Sequence, residues 1–168
     1  MSEEILSLIK SGTQETGESQ KTEEKATWLI FKIGNGEDEK SLYAIPAEQV
    51  KEILRDANVF PLPFVPPYVN GVLNRYGDPY VVIDSAVLEG KEAQNSLLFI
   101  VMNDESHTCL RITDVRDFFT AAETDVVPFA EDDLSEFYDG TLKVEGQNVF
   151  IMNVKAIIEK VGKEIAAA

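Results

Sequence analysis

The chain has 168 residues and a net charge of -15, so it repels phosphate backbones and anionic lipid surfaces and favours a protein partner with basic patches over nucleic acid or membrane. Cys109 is the only cysteine, which excludes an internal disulfide and a cysteine metal motif and suits the cytoplasm. At this length folding buries roughly 70% of the unfolded chain's surface, enough for a core without staples.

Residues 1–26 are rich in Glu, Ser, Thr, Lys, Gln and Gly and read as a disordered acidic tail, with Ile5, Leu6, Leu8 and Ile9 forming one turn of docking helix at most. They lack the features of a signal peptide. No apolar run approaches the ~20 residues that span a bilayer, so no membrane insertion is expected. From Thr27 onward short apolar runs follow one another: TWLIFKIG, then SLYAI, VKEIL, YVNGVL and PYVVI. After Gly90 come SLLFIVM, HTCLRIT, VRDFF, TDVVPF, GTLKVE and NVFIM. Turn residues split these runs about every 8–12 positions, the pattern of a barrel or sandwich rather than of βαβ units. A short helix is predicted over DLSEFY with Asp132 or Asp133 as its cap. Ile157, Val161 and Ile165 share one face of a C-terminal helix, which Gly162 is expected to end early.

The chain repeats itself. GVLNRYGDPYVVID (71–84) returns as GTLKVEGQNVFIMN (140–153), matching Gly71 to Gly140, Leu73 to Leu142, Gly77 to Gly146 and Asp84 to Asn153. Upstream, VKEILRDANVFPLPF (50–64) aligns with VRDFFTAAETDVVPF (115–129), setting Glu52 on Asp117, Pro63 on Pro128 and Phe64 on Phe129. The order is shared, so the chain is read as two similar subdomains, each a small barrel. Gly77 and Gly146 are expected at tight turns with positive φ. Asp84 and Asn153 are expected to cap helical turns, each contributing ~1 kcal/mol. What repeats is framework and carries no chemistry.

A catalytic constellation is not apparent. His107, Cys109 and Arg111 share a strand face, but i, i+2 neighbours lie roughly 6.5–7 Å apart, poor geometry for a Cys–His nucleophile. AEDDLSE lacks the spacing of a calcium loop. PLPFVPP holds a Pro-x-x-Pro pattern, but Phe60, Phe64 and Tyr68 around it argue for a buried crossing rather than a ligand for a proline-reading domain. There is no phosphate loop, dinucleotide fingerprint or nucleophile elbow, so no catalytic residue, cofactor or metal is assigned.

In this order, LYAIPAEQVKEIL, PLPFVPPYVNGVLN, Gly77 and VVID resemble the CheW-like domains, and the second half agrees through LRITDVRDFF and FYDGTLKVEGQNVFIMNVKAII. The resemblance covers residues 27–162 and implies a mainly β fold of two intertwined five-stranded SH3-like barrels, with short helices and a C-terminal helix, over 27–168. It implies a non-enzymatic, cytoplasmic scaffold that couples chemoreceptors to a CheA-type histidine kinase. The partners are the kinase's regulatory domain, met barrel end to barrel end, and the chemoreceptor cytoplasmic tip, held in an apolar groove between the barrels.

The family reads Gly-x-x-Asn-Leu-Arg-Gly where this chain has Gly71-Val72-Leu73-Asn74-Arg75-Tyr76-Gly77. Tyr76 takes the arginine's place and Arg75 the leucine's; Val81 replaces a proline and Ser85 a leucine. Adjacent strand residues face opposite ways, so the displaced arginine is expected to serve another face. The partner-binding candidates are Val50, Glu52, Ile53, Asn74, Arg75 and Tyr76. The last two differ from Val144 and Glu145 of the second copy and are residue types enriched at binding hot spots. The alternatives are a spacer that binds the kinase but ignores receptors, and a small acidic barrel enzyme.

Overall fold

The computed structural model describes residues 24–35, 41–129 and 136–167. Strands β1 (Lys25–Lys32), β2 (Leu42–Pro46), β8 (Asp114–Ala122), β9 (Val127–Pro128), β10 (Tyr138–Val144) and β11 (Gln147–Met152) form one sheet, ordered β8-β1-β2-β11-β10-β9. Strands β3 (Val50–Arg55), β4 (Val69–Arg75), β5 (Asp78–Asp84), β6 (Leu98–Met102) and β7 (Thr108–Ile112) form the other, ordered β3-β6-β7-β5-β4. Short helix α1 (Ser85–Leu88) follows β5, and α2 (Val154–Ala167) follows β11.

The two halves exchange their leading strands. The β1–β2 pair sits between β8 and β11, and the β6–β7 pair sits between β3 and β5. Registers agree residue for residue. Phe150 pairs in parallel with Tyr43, and its counterpart Val81 pairs in parallel with Thr108. Ile30 lies opposite Asp117 and Val101 opposite Glu52, each beside an irregularity in its ladder. The sequence repeat therefore encodes two equivalent sheets, each completed by strands from the other half.

This differs from closed five-stranded barrels. Among the described residues neither sheet has its edge strands hydrogen-bonded to each other, and one sheet carries a sixth strand. Strand β1 begins at Lys25, which pairs with Ala122, so it reaches two residues into the stretch read as tail. Residues 1–23 of that stretch lie outside the described residues, as does the Asp132 and Asp133 cap.

Alternation along the strands builds three apolar clusters. Leu29, Phe31 and Ile33 point to a central cluster that also takes Ile100, Met102 and Leu110 from the other sheet and Ile157 and Val161 from α2. Trp28 and Ile30 point the other way, into a cluster private to the first sheet with Leu142 and Ile151. Leu73, Tyr80, Phe99 and Cys109 form the private cluster of the second. Helix α2 runs through Gly162 to Ala167 instead of stopping early, although Ile165 has left the core at 40% exposure.

Gly71 and Gly140 recur for a packing reason. A Cβ on Gly71 would stand 2.0 Å from the Phe60 carbonyl oxygen, and one on Gly140 would stand 2.2 Å from that of Val127. Each crossing chain lies directly on its hairpin. The next residues met are Pro61 and Pro128, each through its Cα at 2.8 Å. Structural equivalence thus pairs Pro61, not Pro63, with Pro128, and moves Phe64 off Phe129. The crossing is also not buried: Phe60 is 59% and Phe64 92% exposed, and only Tyr68 is inside.

The caps form as expected. Asp84 Oδ1 accepts from the Ala86 and Val87 amides, and Asn153 Oδ1 accepts from the Ala156 amide. The first has grown into a buried node. Asp84 also accepts from the Gln94 amide (2.7 Å) and Nε2 (2.8 Å), while Gln94 Oε1 accepts from the Gly34 amide and the Thr113 hydroxyl. Gly34 follows β1 and Asp84 ends β5, so this network pins the two sheets together.

Neither close approach can be relieved by moving a flexible side chain, because the obstacle is backbone. Gly71→Ala and Gly140→Ala should each lose about 3 kcal/mol. Gly162→Ala, in open helical space, should gain about 1 kcal/mol. Denaturant midpoints of the three variants check this.

Candidate functional site

The irregularity in β3 between Val50 and Glu52 splits the candidates into two sets. Val50 and Ile53 are half-buried against the central cluster, where Val115 of β8 joins them. Val50 and Ile53 come from one sheet and Val115 from the other. Glu52 points the other way, with Leu54, towards the private cluster of the second sheet.

There it meets Arg75. The guanidinium holds the Glu52 carboxylate through two hydrogen bonds, from Nε to Oε1 and from Nη2 to Oε2 at 3.0 Å. Arg75 thus serves the face that carries Glu52. Arg75 shares the parity of Leu73, whose side chain lies in the same private cluster. Strands β3 and β4 are the two edges of their sheet, so this ion pair ties together edges that no backbone ladder joins.

Tyr76 follows with φ 57, in the left-handed region, and is 56% exposed. The Arg75 guanidinium carbon lies 4.9 Å and the Lys51 ammonium 4.4 Å from its ring centroid. The result is an aromatic knob flanked by two cations. Arg75 chiefly, then the Tyr76 hydroxyl and Lys51, hold the Glu52 carboxyl below its ordinary range against the opposing effect of burial. Asn74 is exposed. Lys51 was missed by the sequence reading, as a strand lysine carries no mark of its stacking.

The second sheet's counterpart differs. Where Glu52, Arg75 and Tyr76 stand in one copy, Asp117, Val144 and Glu145 stand in the other. Glu145 keeps the backbone conformation of Tyr76, with φ 50. Val144 cannot bridge to Asp117, and the seam is a cavity of about 420 Å³ with Ile30 and Leu42 on its floor. Phe118, in the place of Ile53, is 52% exposed beside it.

The His107 and Cys109 arrangement is not a nucleophile. His107 precedes β7 with φ 50 and its ring packs 4.8 Å from that of Tyr80. Cys109 is fully buried, and burial, with a smaller contribution from Glu52, pushes its thiol up to about 12. A reactive cysteine needs the opposite shift. Among the described residues no group of three His, Cys, Asp or Glu side chains could hold a metal. No helix there is long and apolar enough to cross a membrane.

Comparison with known proteins agrees with this frame. The model of the CheW-like domain matches residues 27–162. The chain belongs to the CheW-like domain family. It is 27% identical over 145 residues to the chemotaxis protein CheW of Rhizobium meliloti (strain 1021), covering 82% of this chain and 90% of that one. The scaffolding protein TtCheW of Thermoanaerobacter tengcongensis superimposes with a TM-score of 0.69 at 18% identity, over 77% of this chain and 90% of that one. This likeness is one of fold: a CheW-like domain of two sheets and a C-terminal helix.

A carboxyl held below its ordinary range contributes stability above that range and loses it as pH falls through the lowered value. Glu52→Gln should therefore melt below the parent at neutral pH, and the gap should close on acidification below the ordinary carboxylate range. Thermal unfolding against pH reads this, and amide exchange in β3 should quicken in the variant.

Proposed function

We propose that this CheW-like domain is a non-catalytic scaffold of chemotaxis-type signalling that couples chemoreceptors to a CheA-type histidine kinase. Family membership supports the scaffold role, and the buried, high-pKa Cys109 speaks against the enzyme alternative. The observation that carries the reading is where the copies differ. Their ladders agree in register, while the contrast gathers at Arg75 and Tyr76, which stand where the other copy has Val144 and Glu145, beside Lys51 and Glu52.

In this reading the Tyr76 end receives the kinase's regulatory domain, and the half-buried Val50, Ile53 and Val115 receive the receptor tip. The Glu52–Arg75 pair holds the end rigid, so that Tyr76 is presented with little ordering left to lose on binding.

Calorimetric titration with the regulatory domain of the kinase from the same source tests it. The parent chain should bind saturably at micromolar strength. Tyr76→Ala should bind roughly tenfold more weakly or worse, as loss of a hot-spot aromatic does, with its melting temperature nearly unchanged. No heat from the parent at two temperatures removes the kinase as partner. A large stability loss with unaltered binding makes Tyr76 structural.

A further inference from the structure

The two caps open helices of unequal length. The Asp84 amide donates to the Tyr68 carbonyl and the Asn153 amide to that of Phe137, so α1 and α2 start at equivalent places. Helix α2 runs on to Ala167, and its Glu164 accepts from the Tyr68 hydroxyl, so its later turns reach the other copy's tyrosine. Helix α1 stops at Leu88, in the place of Ile157, and the chain turns away through Gly90 at φ 84. Where α2 buries Val161, the same count along the other copy reaches Glu92, which is exposed. The counterpart of Tyr68 is Phe137, and beside it lies a cavity of about 380 Å³. Its walls are Leu88 and the rings of Tyr43, Phe129, Phe137, Tyr138 and Phe150, and the Glu89–Lys91 ion pair supplies its charged lining. The Phe150 ring centroid stands 6.0 Å from those of Tyr43 and Tyr138 and 6.2 Å from that of Phe129. Phe129, Phe137 and Phe150 are half-buried. Such a cavity suits an apolar ligand. Equivalence of the copies narrows the choice: this is where a longer α1 would lay an apolar helical face, as α2 does against the other copy.

We propose that Ile5, Leu6 and Ile9 of this same chain fill the cavity as one helical turn. The three repeat the spacing of Ile157, Ile158 and Val161, through which α2 packs on the central cluster, so a single turn sets all three on one stripe. Residues 10–24 carry no aliphatic or aromatic side chain that could compete for the site. The segment is also rooted near it. The Glu24 carbonyl accepts from the Glu123 amide, and the chain from Glu123 leads through β9 into Phe129, one of the walls. The stretch from Glu123 to Phe129 spans roughly 20 Å at most, whereas the chain between Ile9 and Glu24 can extend roughly 50 Å. A helix this short is marginal alone, but covalent linkage to its site raises its effective concentration. The proposal does not depend on the kinase or receptor reading, since none of these residues is among the partner-binding candidates.

Paramagnetic broadening of amide signals in the full chain tests it. Ser2→Cys carries a nitroxide label, and Cys109, fully buried, takes none. Against the reduced label, the amides of Leu88, Lys91, Phe137 and Tyr138 should lose at least half their intensity. The same chain with Ile5→Glu/Ile9→Glu should recover it, with amide shifts elsewhere unchanged. Should that double variant melt early, Ile9→Ser alone replaces it. A free peptide of residues 1–12, added in excess to the double variant, should shift the same cavity amides. No broadening at these amides, or broadening that survives the double variant, overturns the proposal. A sample mixing spin-labelled chain with isotope-labelled chain shows where the segment comes from. Equal broadening there would put it in a neighbour's cavity and overturn docking within one chain.

Discussion

Two parallel strand pairings hold this molecule in its form. β2 lies on β11 and β7 on β5, and each pairing joins residues from opposite halves of the chain. Neither sheet has its central strand pair without the other half's contribution. Parallel pairing needs a long connection between partners, and here residues 85–107 join β5 to β7 and residues 47–146 join β2 to β11. The halves can exchange hairpins because they are similar enough for either to complete the other. The central cluster then draws side chains from both sheets and from α2, and the Asp84–Gln94 node adds a buried polar tie that its counterpart Asn153, bonded to an exposed Asp139, does not have.

On that common frame the surface is free to diverge. The same hairpin turn, with the same left-handed residue, ends in Tyr76 on one sheet and Glu145 on the other. The same edge-to-edge gap is spanned by Glu52 and Arg75 on one sheet and left open beside Asp117 and Val144 on the other. Duplication supplies two equivalent positions, and substitution at a few of them makes the two ends chemically distinct.

Much of this was legible in the residues. Gly77 and Gly146, with φ of +80 and +81, and the two caps follow from local chemistry that a sequence displays directly. The repeat announced two equivalent units, and family resemblance announced their interleaving. What escaped was non-local. Phe64 looked like core because it is aromatic and sits among prolines, yet the crossing rides over Gly71 with its side chains outward. Arg75 and Glu52 stood as separate candidates, since nothing in the chain marks them as partners; counted from Leu73 in its own strand, Arg75 faces Glu52. Lys51 gains its role only from the turn that brings Tyr76 beneath it. Asp84 was read as a cap alone, since nothing in the chain marks Gln94 as its partner.

The central claim is that the two sheets form one cooperative body because each is built from both halves. The chain carries its own reporters: the single tryptophan, Trp28, lies in the private cluster of the first sheet and the single cysteine, Cys109, in that of the second. Equilibrium unfolding in denaturant, followed at once by Trp28 fluorescence and by thiol labelling of Cys109, decides the matter. Interleaving predicts coincident transitions with one midpoint and one slope. Labelling of Cys109 at denaturant concentrations where Trp28 remains native would show two separable units and contradict the account.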